Sequence, residues 1–165
     1  MTDILFLLKV PPPVHGSTMM NKIVADSKEI GSAYSKAYHL ESISKNVDDI
    51  GKVSFRKLSL IIGNYNSLFK NLRRYRPKLV YFAISPKGLA FYKDFISILI
   101  VKMFGSKIVY HFHVKGLNQE ADKSFIRSFL YKFSFKNQFG IVLSESLKSE
   151  YKPMGFKKLF IVPNG

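Results

Sequence analysis

The sequence predicts an α/β domain, doubly wound, with a mainly parallel sheet and helices on both faces. Short, continuously apolar runs alternate with longer runs of helical period, which is how such a fold reads. Residues 79–84 are apolar at every position, as expected of a strand buried on both faces. At 165 residues with 47% hydrophobic side chains, the chain holds enough apolar mass for one ordinary domain with a real core.

The elements follow in order. Residues 3–10 form an apolar strand, and 11–16, with Pro11, Pro12 and Pro13, a stiff loop. Ser17 is placed to cap a helix over 18–30, with Gly31 at its end. Residues 36–42 read as a weaker strand and 46–52 as a polar loop. The clearest periodicity lies in a helix over 54–75, where Leu58, Ile61, Ile62, Tyr65, Leu68, Phe69, Leu72 and Tyr75 trace one stripe. Pro77 ends it. After the strand at 79–84, Ser85 to Gly88 turn into a helix over 89–104, and a strand at 107–113 follows. A polar loop at 114–122 leads to a helix over 123–136 with Ile126, Phe129, Leu130 and Phe133 on its apolar face. A strand at 140–144, a short helix at 145–152 and a strand at 159–162 complete the pattern.

The chain has no cysteine, which excludes disulfides and thiolate metal sites and fits a reducing cytoplasm. The first apolar run lacks a basic leader region and a small-residue cleavage site, so it does not read as a signal peptide. The longest apolar stretch is interrupted by Lys93, Asp94 and Lys102, too charged to span a bilayer. A soluble, cytoplasmic protein is expected. The net charge of +15 attracts anionic lipid, phosphorylated ligands or nucleic acid. Lys70, Arg73 and Arg74 gather at the end of the long helix, as a solvated face or as a surface for an anionic membrane. The aromatics there follow the apolar stripe and form no separate stacking platform, so nucleic acid is not expected as the partner.

In open α/β sheets ligands bind beyond the carboxyl ends of the strands, which directs attention to the loops there. Gly16 and Ser17 stand at a helix N-terminus, where free N–H groups favour an anion. The alternative is an ordinary capped turn, since neither a Walker loop nor a dinucleotide fingerprint is present. His111 and His113 lie two apart on one face of a strand, His111 reading as a satisfied core residue. His113, at the strand's end, either packs or donates to a sugar hydroxyl or phosphate. No third ligand accompanies them, so no metal is expected.

The segments Pro12-Pro13-Val14-His15-Gly16-Ser17, residues 108–116 with His111 and His113, Val142-Leu143-Ser144-Glu145-Ser146-Leu147, and the closing Ile161-Val162-Pro163-Asn164-Gly165 together resemble the N-terminal domain of retaining GT-B glycosyltransferases, family four. The resemblance covers nearly the whole chain. It implies the Rossmann-like, acceptor-side half of an enzyme whose donor-binding domain would follow the Pro-Asn-Gly turn. That enzyme would pass a sugar from a nucleotide-sugar to a glycan or lipid-diphosphate acceptor in cell-surface polysaccharide synthesis, at the inner face of the plasma membrane. It further implies His113 as the contact to the transferred sugar and Gly16 with Ser17 near the donor diphosphate. His15, Lys115 and Ser144 are then acceptor-side candidates. No cofactor is expected beyond the nucleotide-sugar co-substrate. Rival readings are a non-catalytic module for a nucleotide or phosphate ligand and a basic nucleic-acid binder.

Overall fold

The computed structural model describes residues 2–9, 16–41 and 55–163. The proline loop with His15, the polar stretch at 46–52 and the closing Asn164-Gly165 lie outside them. Among the described residues the chain runs β1 (Ile4–Leu8), α1 (Gly16–Asp26), α2 (Lys28–Ala33), β2 (Lys36–Leu40), α3 (Phe55–Tyr75), β3 (Leu79–Ala83) and α4 (Gly88–Met103). It continues with β4 (Lys107–His111), α5 (Leu117–Ala121), α6 (Phe125–Phe135), β5 (Phe139–Val142), α7 (Glu145–Tyr151), a 3-10 turn (Lys152–Met154) and β6 (Lys158–Ile161). The expected fold class is borne out, and every strand pairing is parallel, in the order β2-β1-β3-β4-β5-β6.

From β1 the chain steps outward to β2, then returns across β1 to β3 and continues through β4 and β5 to β6. Because crossovers are right-handed, that reversal puts the first helices on one face and the later ones on the other. The packing agrees. Phe6, Leu8, Tyr81 and Ala83 form a small core with Ala25 of α1. On the other face Leu5, Val80, Phe82 and Tyr110 lie under Leu72, Ile98 and Tyr131 of α3, α4 and α6. The central strands are buried almost throughout, whereas edge strand β2 alternates, with Ala37 and His39 in and Tyr38 and Leu40 out.

Several expectations are corrected. The helix expected over 18–30 is two helices. Ser27 accepts from the Ile30 amide at 3.2 Å and opens α2 with its own cap, so Gly31 falls inside a helix. Ser17 is likewise inside α1, which begins at Gly16. The strand expected to reach His113 ends at His111. The loop after it contains α5, opened by Gly116 at φ 84°, a conformation that favours glycine.

The largest correction concerns the helix faces. Ile126, Phe129 and Phe133, expected inward, are exposed, and α6 buries Tyr131, Ser134 and Phe135 instead. On α3, Leu68 and Leu72 are buried, but Leu58, Ile62 and Phe69 face outward. No helix among the described residues is long and apolar enough to cross a membrane.

Candidate functional site

The strand order reverses between β1 and β3, and a cavity of about 530 Å³ opens there at the carboxyl ends of the strands. Its walls come from Lys9 after β1, from Gly16, Ser17, Thr18 and Asn21 of α1, from the end of β3 and the loop after it (83–87), and from His113 and Val114 after β4. The structure thus brings Gly16, Ser17 and His113 to one cavity. Gly16 has no positive φ, and a Cβ there would touch nothing within 4 Å. Neither backbone conformation nor packing among the described residues therefore calls for glycine at this position.

Lys115 lies next door, in a depression of about 400 Å³ shared with Lys87, Gly116 and Glu150. Ser144 lines neither cavity. It caps α7, its hydroxyl accepting from the Leu147 amide at 3.3 Å. Lys70, Arg73 and Arg74 are exposed on α3 and line neither cavity; Arg73 instead borders a separate cavity with Arg76, Lys78 and Met103.

Two buried tyrosines hold the loops that form the walls. The Tyr131 hydroxyl donates to the Pro86 carbonyl, and that of Tyr151 donates to the Val114 carbonyl at 2.8 Å. Both rings sit in the core, so the post-strand loops inherit its rigidity. The Leu117 amide donates to the Glu150 carboxylate, fixing the start of α5 beside them.

Beneath the cavity lies an ion cluster. Lys9 Nζ donates to Ser85 Oγ at 2.9 Å and lies 3.4 Å from the Asp94 carboxylate, which is fully buried. Asp94 also accepts from the Ser85 amide at 2.8 Å. Lys93 Nζ reaches Glu41 at 2.6 Å. Burial raises the Asp94 pKa, with Lys9 opposing it and Glu41 reinforcing it. Burial also works against the Lys93 charge, but Glu41 and Asp94 outweigh it and hold its pKa above the ordinary value. Two cations and two carboxylates close on one another.

The histidine pair is arranged differently. The His111 and His113 rings lie against each other, tilted by 42° with centroids 4.2 Å apart, and the Tyr81 hydroxyl bonds His111 Nδ1. Burial, then the neighbouring His113, lowers the His111 pKa to about 4, and burial lowers that of His113. Both rings are therefore neutral at pH 7. The Nε2 atoms of both rings are buried without a hydrogen-bond partner among the described residues, so His111 is only half satisfied there, against expectation. Asn21 donates to the Lys9 carbonyl at 2.9 Å, yet its Oδ1 also has no partner among the described residues. Unmet buried polar atoms beside a cavity are the positions where a ligand would supply the missing bonds.

The fold and the site define a Rossmann-like α/β domain with a cavity at its topological switch point. No family model matches the chain, and no curated protein matches it.

Proposed function

We propose that the chain is the acceptor-side half of a GT-B glycosyltransferase that transfers a sugar from a nucleotide-sugar to a glycan or lipid-diphosphate acceptor. The observation that carries this reading is the meeting of His113 and the α1 N-terminus at Gly16 across one cavity at the switch point. A neutral His113 with a free Nε2 suits a sugar hydroxyl, as either donor or acceptor. The α1 amides with Lys87 favour an anionic group such as a diphosphate. In such an enzyme these groups would bind and orient, and stabilise the departing diphosphate, while the donor half supplies the rest.

The test uses the isotopically labelled chain and a short-chain glycosyl polyprenyl diphosphate. Shifts are expected at the His113 ring, assigned with His113→Asn, and at the Gly16 and Ser17 amides. Resonances unmoved at saturation would overturn the site. Incubation with nucleotide-sugars is expected to give no transfer, and robust turnover by this chain alone would end the half-enzyme reading.

A further inference from the structure

The outer surface of the later helices is apolar where a solvated layer should be polar. On α4, Leu89, Tyr92, Ile96, Leu99 and Met103 recur at steps of three and four and all are exposed, Leu89 at 86% and Met103 at 76%. On α6, Phe125 is 87% exposed, and Ile126, Phe129 and Phe133 follow on the same side. Helix α4 lies between α3 and α6, touching α3 through Phe69 and Phe104 and α6 through Phe95 and Phe133. The outward Leu58, Ile62 and Phe69 of α3 therefore belong to the same layer. Isolated surface leucines are ordinary, but an apolar layer shared by neighbouring helices marks an interaction surface.

Charge identifies what fits it. Helices α3 and α6 contain no Asp or Glu, and the only one in α4, Asp94, is buried in the ion cluster. Cations are present on all three, among them Lys70, Arg73 and Arg74 of α3, Lys102 of α4, and Arg127 and Lys132 of α6. Lys102 lies over the Phe133 ring, its ammonium 4.5 Å from the centroid and donating to the Phe133 carbonyl. At one edge Arg73, Arg76 and Lys78 share a cavity with Met103, joining cations to the apolar stripe. Asp94 apart, the carboxylates bonded to cations along or beside these helices come from outside them: Glu41 reaches Lys93 at 2.6 Å, Asp3 reaches Lys78 at 3.1 Å, and Glu120 is bonded to Arg127 at 2.6 Å and also to Lys123.

We propose that the outer face of α3, α4 and α6 docks on an anionic lipid bilayer, its apolar side chains entering the acyl boundary while its cations meet lipid phosphates. A second copy of the chain is a poor occupant, since pairing two such faces sets cation against cation with no exposed Asp or Glu on these three helices to offset them. Nucleic acid would find the phosphate-binding charge but no use for exposed Leu, Ile and Met, which offer no stacking surface. A bilayer satisfies both halves of the pattern. The docking is independent of any sugar transfer.

The chain has no tryptophan, so Phe125→Trp introduces a unique fluorescent reporter at an exposed site. Its emission is expected to shift to the blue with mixed phosphatidylcholine–phosphatidylglycerol vesicles and to stay unmoved with phosphatidylcholine alone. Ile23→Trp, on α1 across the sheet, is expected to report no shift. A Leu89→Ser, Met103→Ser, Phe125→Ser variant, folded by circular dichroism, should lower vesicle partitioning about tenfold or more. An unmoved Phe125→Trp, an equal shift at Ile23→Trp, or full partitioning of the serine variant would overturn the proposal. So would a Phe125→Trp shift that tracks protein concentration or polyuridylate without vesicles, which would assign the face to a second copy or to nucleic acid.

Discussion

Two polar groups lie close together at the carboxyl end of the sheet, and they are built to opposite rules. In the Lys9, Glu41, Lys93 and Asp94 cluster each charge has an opposite charge within reach, and Ser85 completes the coordination of Asp94. The His111, His113 and Asn21 group is as buried in part, yet leaves three polar atoms without partners among the described residues. A closed network stiffens the floor of the cavity. An open one has capacity left for something from outside. Saturation, more than burial or charge, separates scaffold from site here.

Removing one member of the closed cluster is the strongest test of that contrast. Asp94→Ala would leave Lys9 and the Ser85 amide facing a buried void, and a loss of about 3–5 kcal/mol is expected in urea unfolding. A loss below about 1 kcal/mol would place the cluster among solvent-screened pairs and break the comparison.

Acid comes next. His111 is held neutral in the fold with a pKa of about 4, against about 6.5 when unfolded, so the unfolded chain binds the extra proton first as pH falls. The stability this gives is full above about pH 6.5 and is lost on the way down to about pH 4. The expected loss is on the order of 2–3 kcal/mol. His111→Gln, which keeps an acceptor for the Tyr81 hydroxyl, should flatten unfolding curves across that window. An unchanged slope would assign the acid sensitivity elsewhere.

The smallest effect on stability is expected at His113. His113→Asn should change unfolding by less than about 1 kcal/mol while abolishing the ligand-induced shifts at the cavity. A loss as large as that of Asp94→Ala would make His113 part of the scaffold, and the open group would no longer stand apart.

Much of the fold was legible because its strands are apolar runs cut by Pro, Gly and polar turns. Helix α5 was not, since Leu117-Asn118-Gln119-Glu120-Ala121 carries little periodicity, and its start is set by Gly116 and by Glu150 from a distant helix. The α6 faces misled for a different reason. With Phe125, Ile126, Phe129 and Phe133 on one side of the helix and Tyr131 and Phe135 on another, period alone cannot choose which side meets the sheet. At the site, the rule that ligands sit beyond strand ends was enough to single out Gly16 and His113. Lys9 and Asp94 escaped because their partnership joins residues 85 apart in sequence, and such a charge in an apolar run reads only as an interruption.

The place of β1 in the sheet has a consequence for how the molecule is made. Strand β1 is made before both of its neighbours, with Ile4 paired to Lys36 on one side and to Leu79 on the other. Its second flank stays bare until β3 has been synthesised, so Ile4-Leu5-Phe6-Leu7-Leu8 is a sticky, strand-forming segment until then. Parallel pairing across such a gap closes slowly. Premature release of the nascent chain before β3 would therefore yield an aggregating fragment, and the timing of synthesis is part of what this topology requires.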